Sequence, residues 1–275
     1  MAKAFTEVSL ANAHFAATVL HFAATVWVCF AYAGGCGIRI SFADVKYEHD
    51  NITETTRLRN VILDENQDPA FATISLFGAL IAFEAITTVA HLLQFSLNNV
   101  GADKLICIVL RWVEYGITAP TMWVVILLSL GWRTLDILAP QVLLMCVLQA
   151  VGLAIALGIE YPPTRLLHGA AATQKILLLL WVWSFTVFAC LLAPTVWLYA
   201  TLPSGDAGPP LWVKVLVMGE LAMFSLFGVL LLYDITCMRK YASSEFSYIA
   251  LSFTSKFFLV AIFVFQARVA CDHFQ

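Results

Sequence analysis

Charged residues are scarce in this 275-residue chain: Asp, Glu, Lys and Arg together make up 12% of it. An ordinary soluble domain carries about twice that share. Hydrophobic residues make up 61%, so we expect most of the surface to face lipid and not water. This composition excludes a disordered chain, and the net charge of −3 gives no sign of a nucleic-acid partner.

Cysteines are also few and unsuited to a disulfide scaffold. The seven cysteines are odd in number and scattered, and most lie in apolar stretches, where thiols behave as small hydrophobic groups. No spacing typical of metal ligands, no nucleophile motif and no phosphate-binding loop is visible. We therefore expect neither a metal site nor an enzyme.

Long apolar runs, separated by short polar breaks, dominate the chain. They cover residues 9–34, 70–97, 104–130, 137–158, 174–201, 211–237 and 246–270. Each is long enough for the roughly 20 residues that a membrane-spanning helix needs. The sequence predicts an all-α integral membrane protein, a seven-helix bundle in one domain covering residues 1–275. The first run lacks a basic leader, and we expect it to be retained as a helix.

One connection is long, residues 35–69, and it is acidic. We expect it to be partly structured, with a short hairpin in the alternating segment 37–45. It contains the glycosylation sequon Asn51-Ile52-Thr53, which fits an extracellular face. Outside this connection, Lys and Arg are more frequent on the amino-terminal side of the predicted bundle than on the other. The positive-inside rule therefore predicts a cytoplasmic amino terminus, and we expect the plasma membrane as the location.

Lys256 lies deep inside the seventh predicted span, about 15 Å from the nearer surface. An unpaired lysine there costs roughly 2.5–3.5 kcal/mol, so such residues are functional by default. Glu114 lies at a similar depth in the third span, which runs parallel to the seventh, and we expect the two charges to meet. Arg111 precedes Glu114 by one helical turn and extends this predicted column of charges. Position 252, one turn before the lysine, is a serine, so the third helix must supply the anion.

These residues resemble the chromophore site of a retinal protein. Ion-pumping relatives carry an aspartate at the position of Ser252 and an acid at that of Val125, so the chain departs from the pump pattern. The segments Arg-Trp-Val-Glu-Tyr-Gly at 111–116 and Ser-Phe-Thr-Ser-Lys at 252–256 resemble those of heliorhodopsins, which also share the long first loop and the inverted topology. The resemblance implies all-trans retinal as a Schiff base on Lys256, Glu114 as its counterion, Ser252 beside it, photoisomerisation to the 13-cis form, and a homodimer.

Large side chains at mid-depth in spans three to six are candidates for the walls of a chromophore pocket. With Arg111 and Tyr115, the candidates are Trp181, Phe185, Phe224, Phe227, Met122, Met145 and Gln149. Most of them are equally well explained by ordinary helix packing.

Polar side chains repeat along one face of each of the first two helices. The first face carries His14, Thr18, His21 and Thr25, and the second carries Glu84, Thr87, Thr88 and His91. Together they predict an internal polar network that could exchange protons. Glu220 is a further acid deep in the sixth span, for which we favour a bridging role between helices.

The sequence is compatible with two functions. The first is a light sensor that passes a slow conformational change to a signalling partner. The alternative is a light-gated proton or ion conductance along Glu84 and the histidines. A third class is a seven-helix receptor without photochemistry or a small membrane enzyme, and catalysis has little support. We expect no outward pump because Val125 stands where a proton donor would be needed.

Overall fold

A computed structural model of the chain describes residues 2–31, 37–40, 44–50, 55–61, 72–130, 132, 134–162, 170–201 and 211–266. In these residues the helices are α1 (Ala2–Ala31), α2 (Leu76–Asn99), α3 (Lys104–Ser129), α4 (Leu135–Glu160), α5 (Ala170–Thr201), α6 (Leu211–Cys237) and α7 (Tyr241–Phe265). All seven are long and apolar enough to cross a membrane. The predicted seven-helix membrane fold is confirmed, and the chain is an integral, multi-pass membrane protein.

Helix α2 begins at Leu76, so the predicted start of the second span at residue 70 was wrong. Ser75 is the N-cap: its hydroxyl accepts a hydrogen bond from the Gly78 amide at 3.0 Å. Such a cap satisfies one of the free N–H groups in the first turn of a helix. The apolar residues just before Leu76 belong to a strand and not to the helix. Hydrophobicity alone does not distinguish a strand from the end of a helix.

Helix α7 begins at Tyr241, five residues before the predicted start at 246. Its Tyr241 amide donates to Glu160 Oε2 of α4 at 3.1 Å. The neighbouring Lys240 ammonium donates to the carbonyls of Ile159 (2.6 Å) and Glu160 (3.1 Å) at the end of α4. One helix end thus satisfies the free backbone groups of the other, a contact that a single sequence does not reveal. The extra turn brings Glu245 into α7.

The long first connection contains four strands, as expected for a partly structured loop, but their pairing differs from the prediction. Strand β1 (Gly37–Ile40) pairs antiparallel with β4 (Ala72–Ser75), and β2 (Asp44–Asp50) pairs with β3 (Thr55–Val61). The predicted hairpin at 37–45 was therefore wrong: alternation indicates a strand but not its partner. The Asn51 sequon lies outside the described residues.

The seven helices alternate in direction, so the starts of α1, α3, α5 and α7 lie on one side of the membrane, called here the amino-terminal side. The long first connection lies on the other, called here the loop side. Helix α1 packs against α2 and α7, α3 against α2 and α4, and α6 against α7. Helix α3 is the most buried of the seven spans, so its side chains face several other helices.

The buried core is divided by depth. The loop-side half is mostly apolar, with Leu80 and Phe83 of α2, Val125 to Leu128 of α3 and Leu216 of α6 all at most 1% exposed. The middle and the amino-terminal half hold most of the buried polar side chains: His14, His21, Glu84, Thr87, His91, Gln94, Arg111, Glu114, Asp234, Glu245, Ser252 and Lys256. The loop-side half holds fewer buried polar side chains, among them Ser129, Gln141 and Thr195.

Candidate functional site

Lys256 of α7 and Glu114 of α3 form a buried ion pair, called here the charged pair. The Lys256 ammonium donates to Glu114 Oε1, and both residues are 3% exposed. The structure thus brings together the two charges that the sequence placed at similar depth. Among the described residues, Glu114 is the carboxylate in ion-pair contact with the lysine. A charge buried to this degree is tolerated only when it is paired and hydrogen-bonded.

Two threonines complete the surroundings of the charged pair. The Thr87 hydroxyl of α2 accepts from the Lys256 ammonium at 2.8 Å and donates to Glu114 Oε1 at 3.0 Å. Thr118, one turn after Glu114, donates to the same oxygen at 3.2 Å. A hydroxyl has one proton to donate and lone pairs to accept, so Thr87 suits an arrangement in which both partners are charged. Helices α2, α3 and α7 meet at this point.

Arg111 pairs with Glu245 of α7 and not with Glu114, so the predicted column of three charges is divided into two pairs. The Arg111 guanidinium donates to Glu245 Oε2 and lies 4.4 Å from the centre of the Tyr248 ring. Arg111 is 3% exposed, which excludes an interfacial side chain reaching water. Glu245 was missed because the seventh helix was predicted to start after it. Its spacing of eleven residues from Lys256 places both on one helical face.

An apolar cavity lies between α3, α4, α5, α6 and α7, and Lys256 is part of its lining. Apolar and aromatic walls with a few polar groups are typical of small-molecule sites in proteins. Among the residues that the sequence proposed, the cavity is lined by Tyr115, Met122, Met145, Gln149, Phe185, Phe224, Phe227, Ser252 and Lys256. Trp112, Phe188, Tyr248 and Ser255 also line it, and they were not among the proposed wall residues.

Trp181, like Arg111, is a proposed wall residue that is not part of the cavity lining. Its indole N–H donates to the Gly228 carbonyl at 2.9 Å, and its ring lies 4.4 Å from that of Phe185. It therefore supports the wall from behind. The expectation of direct contact failed because residue type and depth do not fix the face on which a side chain lies.

Two glycines allow aromatic rings to lie directly against the backbone of the cavity wall. A Cβ added at Gly152 would lie 2.1 Å from the Trp112 ring, and one at Gly228 would lie 2.5 Å from Phe185. These ring-on-backbone contacts need glycine because no side chain fits between them. They leave an aromatic slot that suits a long, flat and apolar ligand.

The histidines of α1 and α2 lie together beside Glu84; these four residues are called here the histidine cluster. His21 Nδ1 lies 2.6 Å from Glu84 Oε2, His14 Nδ1 lies 3.0 Å from His91 Nδ1, and the His21 and His91 rings stack at 5.5 Å. All four side chains are at most 3% exposed. The structure thus brings these predicted network residues into contact.

The histidine cluster continues to the amino-terminal side but does not include every predicted member. His14 Nε2 lies 3.7 Å from Glu245 Oε1, which links the cluster to the Arg111 pair. The hydroxyls of three threonines instead donate to carbonyls of their own helices, which removes them from the network: Thr18 to His14, Thr25 to His21 and Thr88 to Glu84. Helical threonines commonly form such local bonds.

The comparison with protein families decides the class of protein. Residues 10–268 match the family described as Heliorhodopsin. The chain belongs to the heliorhodopsin family. It is therefore a light-sensing membrane protein that binds retinal, as the sequence motifs predicted.

One solved structure supports the same fold for this heliorhodopsin. It is the transmembrane domain and linker region of the Salpingoeca rosetta rhodopsin phosphodiesterase, with a TM-score of 0.60 and 15% identity, covering 94% of this chain and 73% of that one. At this identity the likeness concerns the fold alone. The comparison with curated proteins gave no match.

The cavity fits a retinal chromophore. A primary amine stands at one end, the walls are aromatic and apolar, and a carboxylate is in place to balance a positive charge on that amine. These are the groups that a conjugated aldehyde bound through an imine requires.

Proposed function

We propose that this heliorhodopsin holds all-trans retinal as a protonated Schiff base on Lys256, with Glu114 as counterion, and passes its photoreaction on as a slow conformational signal. The observation that carries the proposal is the buried Lys256–Glu114 contact at the end of an aromatic cavity. A lone cation is very costly at this depth, and ionisable residues there are functional by default, so the pair supports a functional use of the amine.

The residues around the amine have distinct tasks in this proposal. Lys256 condenses with the aldehyde of retinal, one water leaves, and the linkage keeps one proton and one positive charge. Glu114 balances that charge, while Thr87 and Thr118 orient the carboxylate through hydrogen bonds. Bound retinal supplies the absorption of light and the change of shape at a double bond. The aromatic walls exclude water, which would otherwise hydrolyse the linkage.

The test is the colour of membranes that contain the expressed protein after all-trans retinal is added. A visible absorption band is expected, and Lys256→Arg should abolish it. Glu114→Gln should shift the band to longer wavelength, because removing the counterion lets the positive charge spread into the conjugated chain. Lys104→Arg, at an exposed lysine on α3, is the matched control and should keep the band. A band that persists in Lys256→Arg, or stays in place in Glu114→Gln, contradicts these roles.

A second candidate is a light-gated proton or ion conductance along the histidine cluster. It is favoured by the contacts that lead from Glu84 through the histidines to Glu245 and Arg111. A conducting path would also have to cross the apolar loop-side core, where Val125 is fully buried. The largely apolar packing there supports the sensor over the conductance, and this valine stands where a pump would need a proton donor.

Current recording separates these two functions. Voltage-clamped cells that express the protein with retinal should give no light-evoked current if it is a sensor. A reproducible current that disappears in Glu84→Gln would instead establish the conductance.

The arrangement in the cell is part of the same proposal. We expect a plasma-membrane homodimer with a cytoplasmic amino terminus, an extracellular first connection and a separate signalling partner. An epitope tag at the amino terminus should be stained only after the cells are permeabilised. Staining of intact cells would show that the amino terminus is extracellular and would contradict the proposed orientation.

A further inference from the structure

Four glutamates are buried in the membrane-spanning part of the described chain: Glu84, Glu114, Glu220 and Glu245. Three of them contact a basic side chain, namely His21, Lys256 and Arg111 respectively. Glu220 of α6 differs, because the contact that the structure gives it is the Ser255 hydroxyl of α7, which donates to Glu220 Oε2 at 2.9 Å. This acid has no task in the proposed photochemistry described above.

The surroundings of Glu220 favour an uncharged acid. Its side chain is fully buried. On its own helix it shares a face with Leu216 and Val217, and on α7 Leu259 follows Ser255 by one turn in the same apolar core. A carboxylate without a cationic partner is very costly in such a place, whereas a protonated carboxyl with a hydrogen bond is tolerated.

The Ser255 hydroxyl donates to another helix and not to a carbonyl of its own helix. Its neighbour Thr254 donates to the Ala250 carbonyl one turn back, at 2.8 Å, as helical Ser and Thr side chains commonly do. Ser255 instead reaches across to Glu220 on the next helix. It also lines the cavity and directly precedes Lys256, so this cross-helix bond lies beside the chromophore lysine.

A side chain of α7 packs directly on the backbone of α6 at the same level. A Cβ added at Gly219 would lie 2.4 Å from the Phe258 ring of α7. A displacement of α7 near Lys256 is therefore transmitted directly to α6, because closely packed groups cannot move without displacing their neighbours.

We propose that Glu220 is a neutral carboxylic acid that acts as a positioning residue. Through Ser255 it fastens α6 to the chromophore-bearing helix, and its hydrogen bond changes when the photoreaction displaces the Lys256 segment. The inference rests on the proposed function, in which Lys256 carries retinal. It assigns α6 as a helix that receives the light signal through the α7 segment next to Lys256.

The test is light-minus-dark infrared difference spectroscopy of the retinal-loaded protein, in the region of the C=O stretch of protonated carboxylic acids. A difference band is expected that disappears in Glu220→Gln and moves to higher frequency in Ser255→Ala, where the acid loses its hydrogen bond. Glu84→Gln is the matched control at a buried acid of another helix pair, and the band assigned to Glu220 should persist in it.

The lifetime of the light-induced state provides a second readout. Glu220→Leu removes the bond between the helices and should change the lifetime about fivefold, equivalent to about 1 kcal/mol. Glu220→Gln retains a hydrogen-bonding side chain and should remain close to the unmodified protein. Because it is nearly isosteric, Glu220→Gln keeps the test decisive even if Glu220→Leu fails to fold.

The outcomes separate this inference from the proposed function. A visible band in the unmodified protein together with no carboxylic-acid band sensitive to Glu220→Gln overturns the role of Glu220 and leaves the chromophore site standing. Absence of the visible band in the unmodified protein overturns both.

Discussion

Replacing Glu245 by glutamine leaves the buried Arg111 without an anion, and the cost of that change can be worked out from the structure. The two side chains are 3% and 1% exposed. Removing one partner of a buried ion pair costs about 3–5 kcal/mol, because the remaining charge stays desolvated. The Tyr248 ring, 4.4 Å from the guanidinium, offsets up to about 2 kcal/mol of this. We expect Glu245→Gln to lower the free energy of unfolding by about 1–5 kcal/mol.

The assay is a denaturant titration of the retinal-loaded protein, followed through loss of the visible band. Arg111→Met combined with Glu245→Leu should restore most of the stability, because a neutral apolar pair leaves no buried charge. This double variant should also keep its band near the original wavelength, since the charged pair of Lys256 and Glu114 is intact. A loss below about 1 kcal/mol in Glu245→Gln, the level of a surface ion pair, would refute the reasoning.

Two further predictions concern the charged pair and the cavity wall. Thr87→Val should lower the free energy of unfolding by about 1–3 kcal/mol. It should also shift the visible band more than Thr118→Val does, because Thr87 contacts both members of the pair and Thr118 only the glutamate. Equal shifts in the two variants would contradict this. Gly152→Ala should slow retinal uptake and reduce the final absorbance, because the added Cβ forces the Trp112 ring towards the cavity. Gly116→Ala is its control, since a Cβ there meets nothing within 4 Å, and equal uptake by both variants would count against the slot geometry.

The division of the core by depth bears on how the light signal leaves the protein. The histidine cluster and the Arg111 pair occupy the middle and amino-terminal half, and the loop-side half is mostly apolar. Polar groups that can rearrange after a change of charge are therefore concentrated towards the amino-terminal side. In the proposed orientation this is the cytoplasmic side, where a signalling partner would be found.

Much of the fold could be predicted because the bilayer makes simple demands on a sequence. A span needs about 20 apolar residues, so runs such as 104–130 define a helix without knowledge of its neighbours. The depth of a residue follows from its position in the run at 1.5 Å per residue. That arithmetic sufficed to place Lys256 and Glu114 at the same level. Two side chains on neighbouring helices must lie at the same depth before they can come into contact, as these two do.

Helix ends and strand partners were harder to predict because they depend on distant residues. The start of α7 is set by Glu160 and Lys240, which join it to the end of α4. Strand β1 pairs with β4, which lies more than thirty residues further along the chain. Hydrophobic pattern contains no information about either contact.

The sequence by itself determined that this chain spans a membrane seven times and carries a buried lysine opposite a glutamate, since burial cost and helical rise act on each span separately. Only the tertiary structure decided that Arg111 is bound to Glu245, that Thr87 joins the charged pair, and that Trp181 lies behind the cavity wall. These features depend on the rotation of each helix about its own axis. That rotation is fixed by packing among several helices at once, because each helix must present one face to several neighbours.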